Sequence, residues 1–269
     1  MGDTYLATGF KDVDGSDALD TYAACLSFLD SLEFYQRYKE ETYRLLGLQN
    51  GDIVLDAGCG LGYDLYRMAE RVFPNGKAVG VDASVAFLDE AKKDRRYSVL
   101  NVELCRADLK ALPFENDYFT HSRIDRVLQH IPEPQKALDE LARTLGRSGM
   151  LLAYDNDWRS FSIDTADSSI TQKIESLWSN AFANPRIGTE LPELLRRAGL
   201  SEIEVYPLTS VIRDFETAER VYDLTSTLQK LIESKRVTED EVKRWIGSAK
   251  EEREFRVTLD SFIVTGRKI

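Results

Sequence analysis

The sequence predicts an α/β fold with a mostly parallel sheet, because short apolar strands alternate with amphipathic helices. The clearest unit spans residues 53–73. Residues 53–55 are apolar, rich in β-branched side chains and bounded by turn residues, which is typical of a buried strand. Residues 63–73 follow with apolar side chains at helical spacing. Further strands with helices between them predict helices on both faces of the sheet.

A glycine loop joins the first strand to its helix. Gly58, Gly60 and Gly62 occupy alternate positions, and Asp56 precedes the first of them by two residues. Glycine is needed where the backbone turns tightly and approaches a ligand. The N-terminus of the following helix offers unpaired N–H groups and a partial positive charge. The combination suits an anionic group, such as a phosphate or an amino-acid carboxylate.

Two further strands are predicted to end in a carboxylate. Residues 77–82 end at Asp82, residues 102–109 contain Asp108, and these acids follow Asp56 at equal intervals. A carboxylate at the end of the second strand can accept hydrogen bonds from both ribose hydroxyls. Three such carboxylates and a glycine loop together indicate a nucleoside-containing ligand at one edge of the sheet.

These residues resemble motif I and the following acidic positions of the class I S-adenosylmethionine (SAM) dependent methyltransferases, whose loop reads acidic-x-Gly-x-Gly-x-Gly. Residues 112–119 (LPFENDYF) and 126–132 (RVLQHIP) are similar to passages of the small-molecule methyltransferases of the ubiquinone-biosynthesis type. The resemblance implies a Rossmann-like, seven-stranded sheet with an antiparallel last strand. It also implies SAM as the cofactor and S-adenosylhomocysteine (SAH) as its product.

The resemblance assigns most of the cofactor site. The cofactor-binding residues that it implies are Asp56, Gly58, Gly60, Gly62, Asp82, Ala83, Asp108, Leu109, Arg123 and Gln129. In the family resembled, Asp82 accepts the ribose hydroxyls, Asp108 accepts the adenine amino group, and the Leu109 N–H contacts the ring. Asp56 orients the glycine loop or the SAM amine. Arg123 either binds the SAM carboxylate or pairs with Asp125.

His130 is the candidate catalytic residue, since it follows the fourth strand, where methyl group and acceptor meet in the family resembled. Its role is either that of a general base or a structural one. The predicted substrate-binding residues are Tyr35, Tyr38, Trp158 and Arg186. Each has a plainer alternative: the aromatic side chains pack in the core, and the arginine is a solvated turn residue. Residues 155–159 are expected at a strand end, where open α/β sheets build ligand sites.

Four regions are predicted along the chain. They are an N-terminal helical lid over residues 1–46, a SAM-binding core over 47–215 with a substrate-side insertion at 156–190, a helical cap over 216–254, and a final strand over 255–269. Residues 1–20 are polar and acidic and are expected to be loose until something orders them. The cap is expected to contain two helices.

Composition limits the partners. The chain has 269 residues and a formal net charge of −11, which disfavours nucleic acid and anionic membranes. No apolar run approaches the roughly 20 residues that span a bilayer, and residues 1–4 lack the features of a signal peptide. The three scattered cysteines indicate reduced thiols. We therefore expect a cytoplasmic monomer or homodimer that acts on a small-molecule acceptor.

The reaction expected is in-line transfer of a methyl group to an O, N or C acceptor. No metal-ligand spacing is visible, although a magnesium site built from scattered carboxylates stays open. Two other functions also stay open: an NAD-dependent oxidoreductase with a variant glycine loop, and a SAM-binding module without catalysis. The glycine spacing and Asp108 argue against the first. Only turnover separates the second from an enzyme.

Overall fold

A seven-stranded sheet organises the protein. The computed structural model describes residues 5–16, 18–165, 168–251 and 254–269. In these residues the strands are β1 (Ile53–Ala57), β2 (Lys77–Asp82), β3 (Val102–Arg106), β4 (Phe119–Asp125), β5 (Leu145–Asp164), β6 (Leu200–Ile212) and β7 (Arg256–Lys268). Their order is β3-β2-β1-β4-β5-β7-β6. Strands β1 to β5 run parallel, and β7 is antiparallel to both of its neighbours. The predicted fold class is confirmed.

Helices surround the sheet. In the described part of the chain they are α1 (Leu6–Gly9), α2 (Leu19–Ser31), α3 (Glu33–Leu46), α4 (Tyr63–Val72), α5 (Val85–Ala91), α6 (Pro134–Thr144), α7 (Ser168–Ser179), α8 (Ile187–Arg197), α9 (Phe215–Tyr222), α10 (Leu224–Glu233) and α11 (Glu239–Glu251). None of these helices is long and apolar enough to cross a membrane.

Two apolar layers cover the two faces of the sheet. Successive residues of a strand point to opposite faces, so Leu55 of β1 packs with α6 and α8 while its neighbour Val54 packs with α3 and α4. Both side chains are fully buried. Because the parallel strands are covered on both sides, their carboxyl ends at Ala57, Asp82 and Asp125 are left as the edge where a ligand can enter.

Strand β5 is much longer than predicted. The expected strand covered residues 149–154, with residues 155–159 at its end, whereas β5 continues to Asp164. The expectation of a strand end is therefore wrong. Its pairing with β4 stops at Tyr154, opposite Asp125, but pairing with β7 resumes at Ser162 after an irregularity that follows Asp157. The part of β5 beyond Asp157 is stabilised because β7 pairs with it and α7 packs against β5.

The cap and the N-terminus also differ from expectation. Residues 216–252 contribute to three helices, α9 to α11, and not to two, because Asp223 adopts a left-handed φ of 45° that separates α9 from α10. The N-terminus was expected to be loose, yet Tyr5, Ala7 and Val13 are buried. The Tyr5 hydroxyl lies 2.9 Å from the Thr227 hydroxyl of α10.

The division into lid, core, cap and final strand stays a prediction. One apolar cluster combines residues from the predicted lid, insertion and cap, including Leu29, Trp178 and Trp245. Parts of these predicted regions, namely residues 1–4, 17, 166–167 and 252–253, lie outside the described residues.

Candidate functional site

A cavity of about 560 Å³ lies at the carboxyl edge of β1 to β4. Its walls come from the ends of these four strands and the loops after them, from the starts of α4 and α5, from α2 and α3, and from residues 10–14 of the N-terminal segment. The predicted residues that line it are Asp56, Gly58, Gly60, Asp82, Ala83, Asp108, Leu109, Arg123, Gln129 and His130. The lining does not include Gly62, Tyr35, Tyr38, Trp158 or Arg186.

The glycine loop is held by backbone hydrogen bonds. The N–H groups of Gly58 and Cys59 donate to the Val81 carbonyl at 2.7 and 2.9 Å. Gly58 has a φ of 77°, and a Cβ there would lie 2.3 Å from Cγ2 of Val127. Only glycine fits both the left-handed conformation and this close approach. Gly62 begins α4 with a φ of 77°, behind the cavity wall.

Asp82 joins the glycine loop to the second strand. Its Oδ2 accepts from the Gly60 N–H at 2.8 Å, and its Oδ1 accepts from the Ser84 N–H at 2.9 Å. Burial raises the pKa of Asp82, although these N–H groups favour the carboxylate. Each carboxylate oxygen keeps a further lone pair, so the side chain can still accept hydrogen bonds from two ligand hydroxyls.

The third acidic position sits in a loop. Strand β3 ends at Arg106, so Asp108 lies beyond it and not within the strand as predicted. Its side chain is exposed, and its Oδ1 accepts from the Lys110 N–H at 2.9 Å. Leu109 is buried beside it. The pair offers one polar and one apolar contact at this end of the cavity.

An ion-pair network lies beneath the glycine loop. Its members are the carboxylates Asp30, Asp56, Asp64 and Asp125 and the cations Lys39, Arg67, Arg123 and Arg126. The two signs are equal in number, as buried charges require. Helices α2 and α3 supply two members, Asp30 and Lys39. The network therefore ties these helices to the strand ends.

Arg123 is the centre of this ion-pair network. Its Nη1 lies 3.5 Å from Asp56 Oδ1 and 3.4 Å from Asp64 Oδ2, and its Nη2 donates to Asp125. Burial raises the pKa of Asp56, whereas Arg123 and Lys39 lower the pKa of Asp64 below its ordinary value against the effect of burial. Of the two predicted roles of Arg123, pairing with Asp125 is the one that the structure shows. A contact with the SAM carboxylate stays a prediction.

His130 is half-buried at the cavity wall. Its Nε2 lies 3.0 Å from the side-chain nitrogen of Gln129, whose Oε1 accepts from the Trp158 indole N–H at 2.8 Å. Burial, with Lys11 and Arg126 nearby, lowers the pKa of His130 to about 3. So weak a base favours a role other than that of a general base at neutral pH.

The N-terminal segment, residues 10–14, closes one side of the cavity. The Phe10 ring centre lies 6.2 Å from that of His130, and Lys11 Nζ donates to the Ala181 carbonyl at 2.8 Å. The Asp14 carboxylate accepts from the Ser84 hydroxyl and from the first N–H groups of α5. The predicted lid over residues 1–46 includes this segment, but sequence reasoning named none of residues 10–14 as part of the site. The isolated apolar residues Phe10 and Val13 in an acidic stretch were its one available signal.

Four predicted substrate-binding residues lie outside the cavity lining. Tyr38 stacks on Tyr154 at 4.1 Å between ring centres, and its hydroxyl donates to Asp125. Tyr35 packs beside Tyr38, with ring centres 5.6 Å apart.

The other two members of this predicted set differ in environment. Trp158 is buried, stacks on Phe182 at 4.1 Å and donates to Gln129, so it touches residues next to the cavity and does not line it. Arg186 is exposed ahead of α8. The plainer alternatives, packing and solvation, describe where these side chains lie.

Among the described residues, no group of three or more His, Cys, Asp or Glu side chains could hold a metal ion.

Residues 48–199 match the profile of a methyltransferase domain family. The chain belongs to the class I SAM-dependent methyltransferases. The match covers the glycine loop, all three acidic positions and the segment after β4. The oxidoreductase alternative is therefore set aside.

Two relatives and one solved structure give the range of similarity. The chain is 32% identical over 225 residues to an uncharacterized 37.1 kDa protein in transposon Tn4556 of Streptomyces fradiae, covering 82% of this chain and 65% of that protein. It is 30% identical over 130 residues to demethylmenaquinone methyltransferase of Staphylococcus aureus, covering 48% of this chain and 54% of that enzyme. The chain thus spans between half and two thirds of these relatives.

The solved structure is phosphoethanolamine N-methyltransferase 2 of Haemonchus contortus, in complex with SAM. It aligns with a TM-score of 0.58 at 16% identity, over 98% of this chain and 60% of that chain. At this identity the likeness shows the fold alone.

Proposed function

We propose that this protein binds SAM and transfers its methyl group to a small-molecule acceptor. The observation that carries the proposal is that one and the same cavity is lined by the glycine loop and Asp82 and also by Gln129 and His130. Its volume of about 560 Å³ lies within the roughly 300–1,000 Å³ typical of small-molecule sites. Membership of the methyltransferase family supports the same activity.

The strand ends suggest how SAM lies. In this proposal Asp108 and Leu109 hold the adenine, Asp82 accepts the ribose hydroxyls, and the amino-acid part lies along Gly58 and Gly60. The Haemonchus structure with bound SAM supports the choice of cofactor for this fold. The activated methyl then faces the loop after β4. The acceptor attacks that carbon in line, the carbon–sulfur bond breaks, and its electron pair returns to sulfur.

Apolar side chains form the part of the cavity left for the acceptor. They include Phe10, Leu26, Leu29, Ile131 and Pro132. A partly apolar acceptor fits these walls, and the Staphylococcus relative, named for demethylmenaquinone, supports such a compound. The acidic chain supports a protein without nucleic-acid or anionic-membrane partners, and its three free cysteines support a cytoplasmic location. A monomer or homodimer stays a prediction.

Calorimetric titration with SAM and SAH tests the cofactor site. We expect micromolar binding by the wild type and at least about tenfold weaker binding by Asp82→Ala, which removes the acceptor for two hydroxyls. Asp89→Ala is the matched control, because Asp89 is a largely exposed carboxylate that pairs with Lys92 at 2.9 Å on α5. Its affinity for SAH should equal that of the wild type.

Equal SAH affinity in Asp82→Ala, or no binding by the wild type, contradicts the proposal. Binding of NADH in place of SAH would restore the oxidoreductase alternative. Turnover separates an enzyme from a binding module. Incubation with SAM and 1,4-dihydroxynaphthalene, among other small phenols and amines, should release SAH in proportion to methylated product.

A further inference from the structure

Gln129 lies between two groups whose hydrogen-bonding roles are set by their chemistry. Its Oε1 is 2.8 Å from the indole nitrogen of Trp158, and an indole N–H can only donate. The side-chain amide of Asn156 donates to the same oxygen at 3.2 Å. The Gln129 carbonyl must therefore face Trp158, and its NH₂ group faces the other way.

His130 receives that NH₂ group. The Gln129 Nε2 lies 3.0 Å from the His130 Nε2. A neutral imidazole has one donor and one acceptor nitrogen, so Nε2 accepts and the proton resides on Nδ1. Nδ1 is buried and has no hydrogen-bond partner within the part of the chain that the structure describes. A buried donor is thus unpaired in a side chain that lines the cavity.

The surroundings of the ring disfavour a second proton. Phe10 and Phe182 pack near it, with ring centres 6.2 and 5.5 Å from that of His130. The charged groups that influence it, Lys11 from the N-terminal segment and Arg126 from the loop after β4, are both cations. Together with burial they lower the pKa of His130 to about 3, so the imidazole is neutral at physiological pH.

We propose that Gln129 is a positioning residue that holds His130 in the Nδ1–H tautomer, so that His130 serves this cavity as a hydrogen-bond donor and not as a base. The identity of the ligand rests on the proposed function: when the side chains over Nδ1 move aside, the Nδ1–H binds a lone pair on an oxygen or nitrogen of the methyl acceptor. A buried donor without a partner is unfavourable, and a ligand that supplies a lone pair relieves this cost. An acceptor that must lose a proton loses it to water.

Nitrogen NMR of the imidazoles tests this directly, because the chain has only two histidines. Protein labelled with ¹⁵N-histidine is measured free and with SAH by long-range proton–nitrogen correlation, which identifies the protonated nitrogen. We expect His130 to carry its proton on Nδ1 throughout the neutral pH range. His121, whose Nδ1 lies 2.9 Å from the Thr120 hydroxyl, is the internal control.

Two substitutions of Gln129 sharpen the test. In Gln129→Glu the carboxylate cannot donate, so Nε2 of His130 should become protonated and the tautomer should reverse. In Gln129→Met the preference should be lost, giving a mixture of tautomers. Signals of His121 and the melting temperature report whether each variant is folded.

A wild-type His130 protonated on Nε2, or an unchanged tautomer in a folded Gln129→Glu, overturns the inference. The wild-type spectrum decides even where a variant does not fold. The tautomer of His130 can be measured in the protein without SAH. Failure to bind SAH would therefore contradict the proposed function and leave the tautomer measurement valid.

Discussion

The two sides of the cavity are built in different ways. The strand-end side, residues 58–61, 82–84 and 106–110, presents backbone groups that other backbone groups hold, such as Gly58 N–H on the Val81 carbonyl. The opposite side consists of residues 10–14 and 129–132, and we call it the cap side, although the predicted helical cap over 216–254 does not line the cavity. It presents side chains that are held by side chains and carbonyls far away in the sequence. The strand-end side therefore depends on conformations that only glycine adopts, and the cap side depends on individual side-chain contacts.

The ion-pair network ties helices α2 and α3 to the strand ends that support the cavity, so breaking it gives the largest expected effect. Arg123→Met leaves Asp56, Asp64 and Asp125 buried without their shared cation. We expect a loss of about 3–5 kcal/mol in the free energy of unfolding, because removing one partner leaves buried charges uncompensated. Urea unfolding measures it. Arg37→Met is the control, because the Arg37 side chain is exposed and its ion pair with Glu33 is long, at 3.7 Å.

The control should change stability by no more than about 0.5 kcal/mol. A loss below about 1 kcal/mol in Arg123→Met would mean that the three carboxylates take up protons or solvent, and that the network does not hold α2 and α3 to the strand ends.

Gly58→Ala tests the strand-end side. A left-handed φ costs a residue with a side chain about 1–2 kcal/mol, and the new Cβ would also lie 2.3 Å from Val127. Gly47→Ala is a matched control: its φ is 65°, but nothing lies within 4 Å of a Cβ there. We expect both variants to lose stability, and Gly58→Ala alone to bind SAH at least about tenfold more weakly, by calorimetry.

Adding Val127→Ala should restore part of that affinity, because it removes the atoms that meet the new Cβ. Equal SAH affinity in Gly58→Ala and Gly47→Ala would show that the close approach of this loop to Val127 does not shape the cofactor site.

Asp14→Ala tests the cap side and has the smallest expected effect. The Asp14 carboxylate accepts from the Ser84 hydroxyl at 2.6 Å and from the N–H groups of Val85 and Ala86 at 2.8 and 3.1 Å. Loss of such a contact at a helix N-terminus costs about 1 kcal/mol. Since the N-terminal segment closes the cavity, SAH should also dissociate a few-fold faster in stopped-flow measurements.

Asp89→Ala controls for the loss of one carboxylate at α5, because Asp89 lies on that helix and pairs locally with Lys92, the residue at its C-terminal end. If SAH leaves both variants at the same rate, the N-terminal segment does not retain the ligand, and the cap side would consist of residues 129–132 alone.

Local sequence patterns predict much of the strand-end side. Asp56, Gly58, Gly60 and Asp82 stand at the strand–loop–helix junctions that the sequence predicts, and all four line the cavity. A strand that ends in a carboxylate places that carboxylate at the sheet edge whatever the rest of the chain does. Gly62 shows the limit, since the same repeat places it behind the wall, where its carbonyl accepts from the Tyr97 hydroxyl.

The cap side had no comparable signal. Trp158 was predicted to contact substrate, yet it orients Gln129 from the aromatic core. Asp14 gives no local sign that it will reach α5, and Lys11 gives none that it will reach Ala181. Such contacts depend on where whole helices dock, and many partners far along the chain would satisfy the same donor or acceptor equally well.

The sequence by itself thus determined the α/β fold and the chemistry of the cofactor edge, because strand and loop patterns are short-range and repeat along the chain, and the family resemblance implied the antiparallel last strand. The tertiary structure alone decided the length of β5, the closing of the cavity by residues 10–14, and the proton position on His130. Those features depend on contacts between segments brought together only by packing, where one buried indole N–H dictates the orientation of an amide and, through it, the proton on an imidazole.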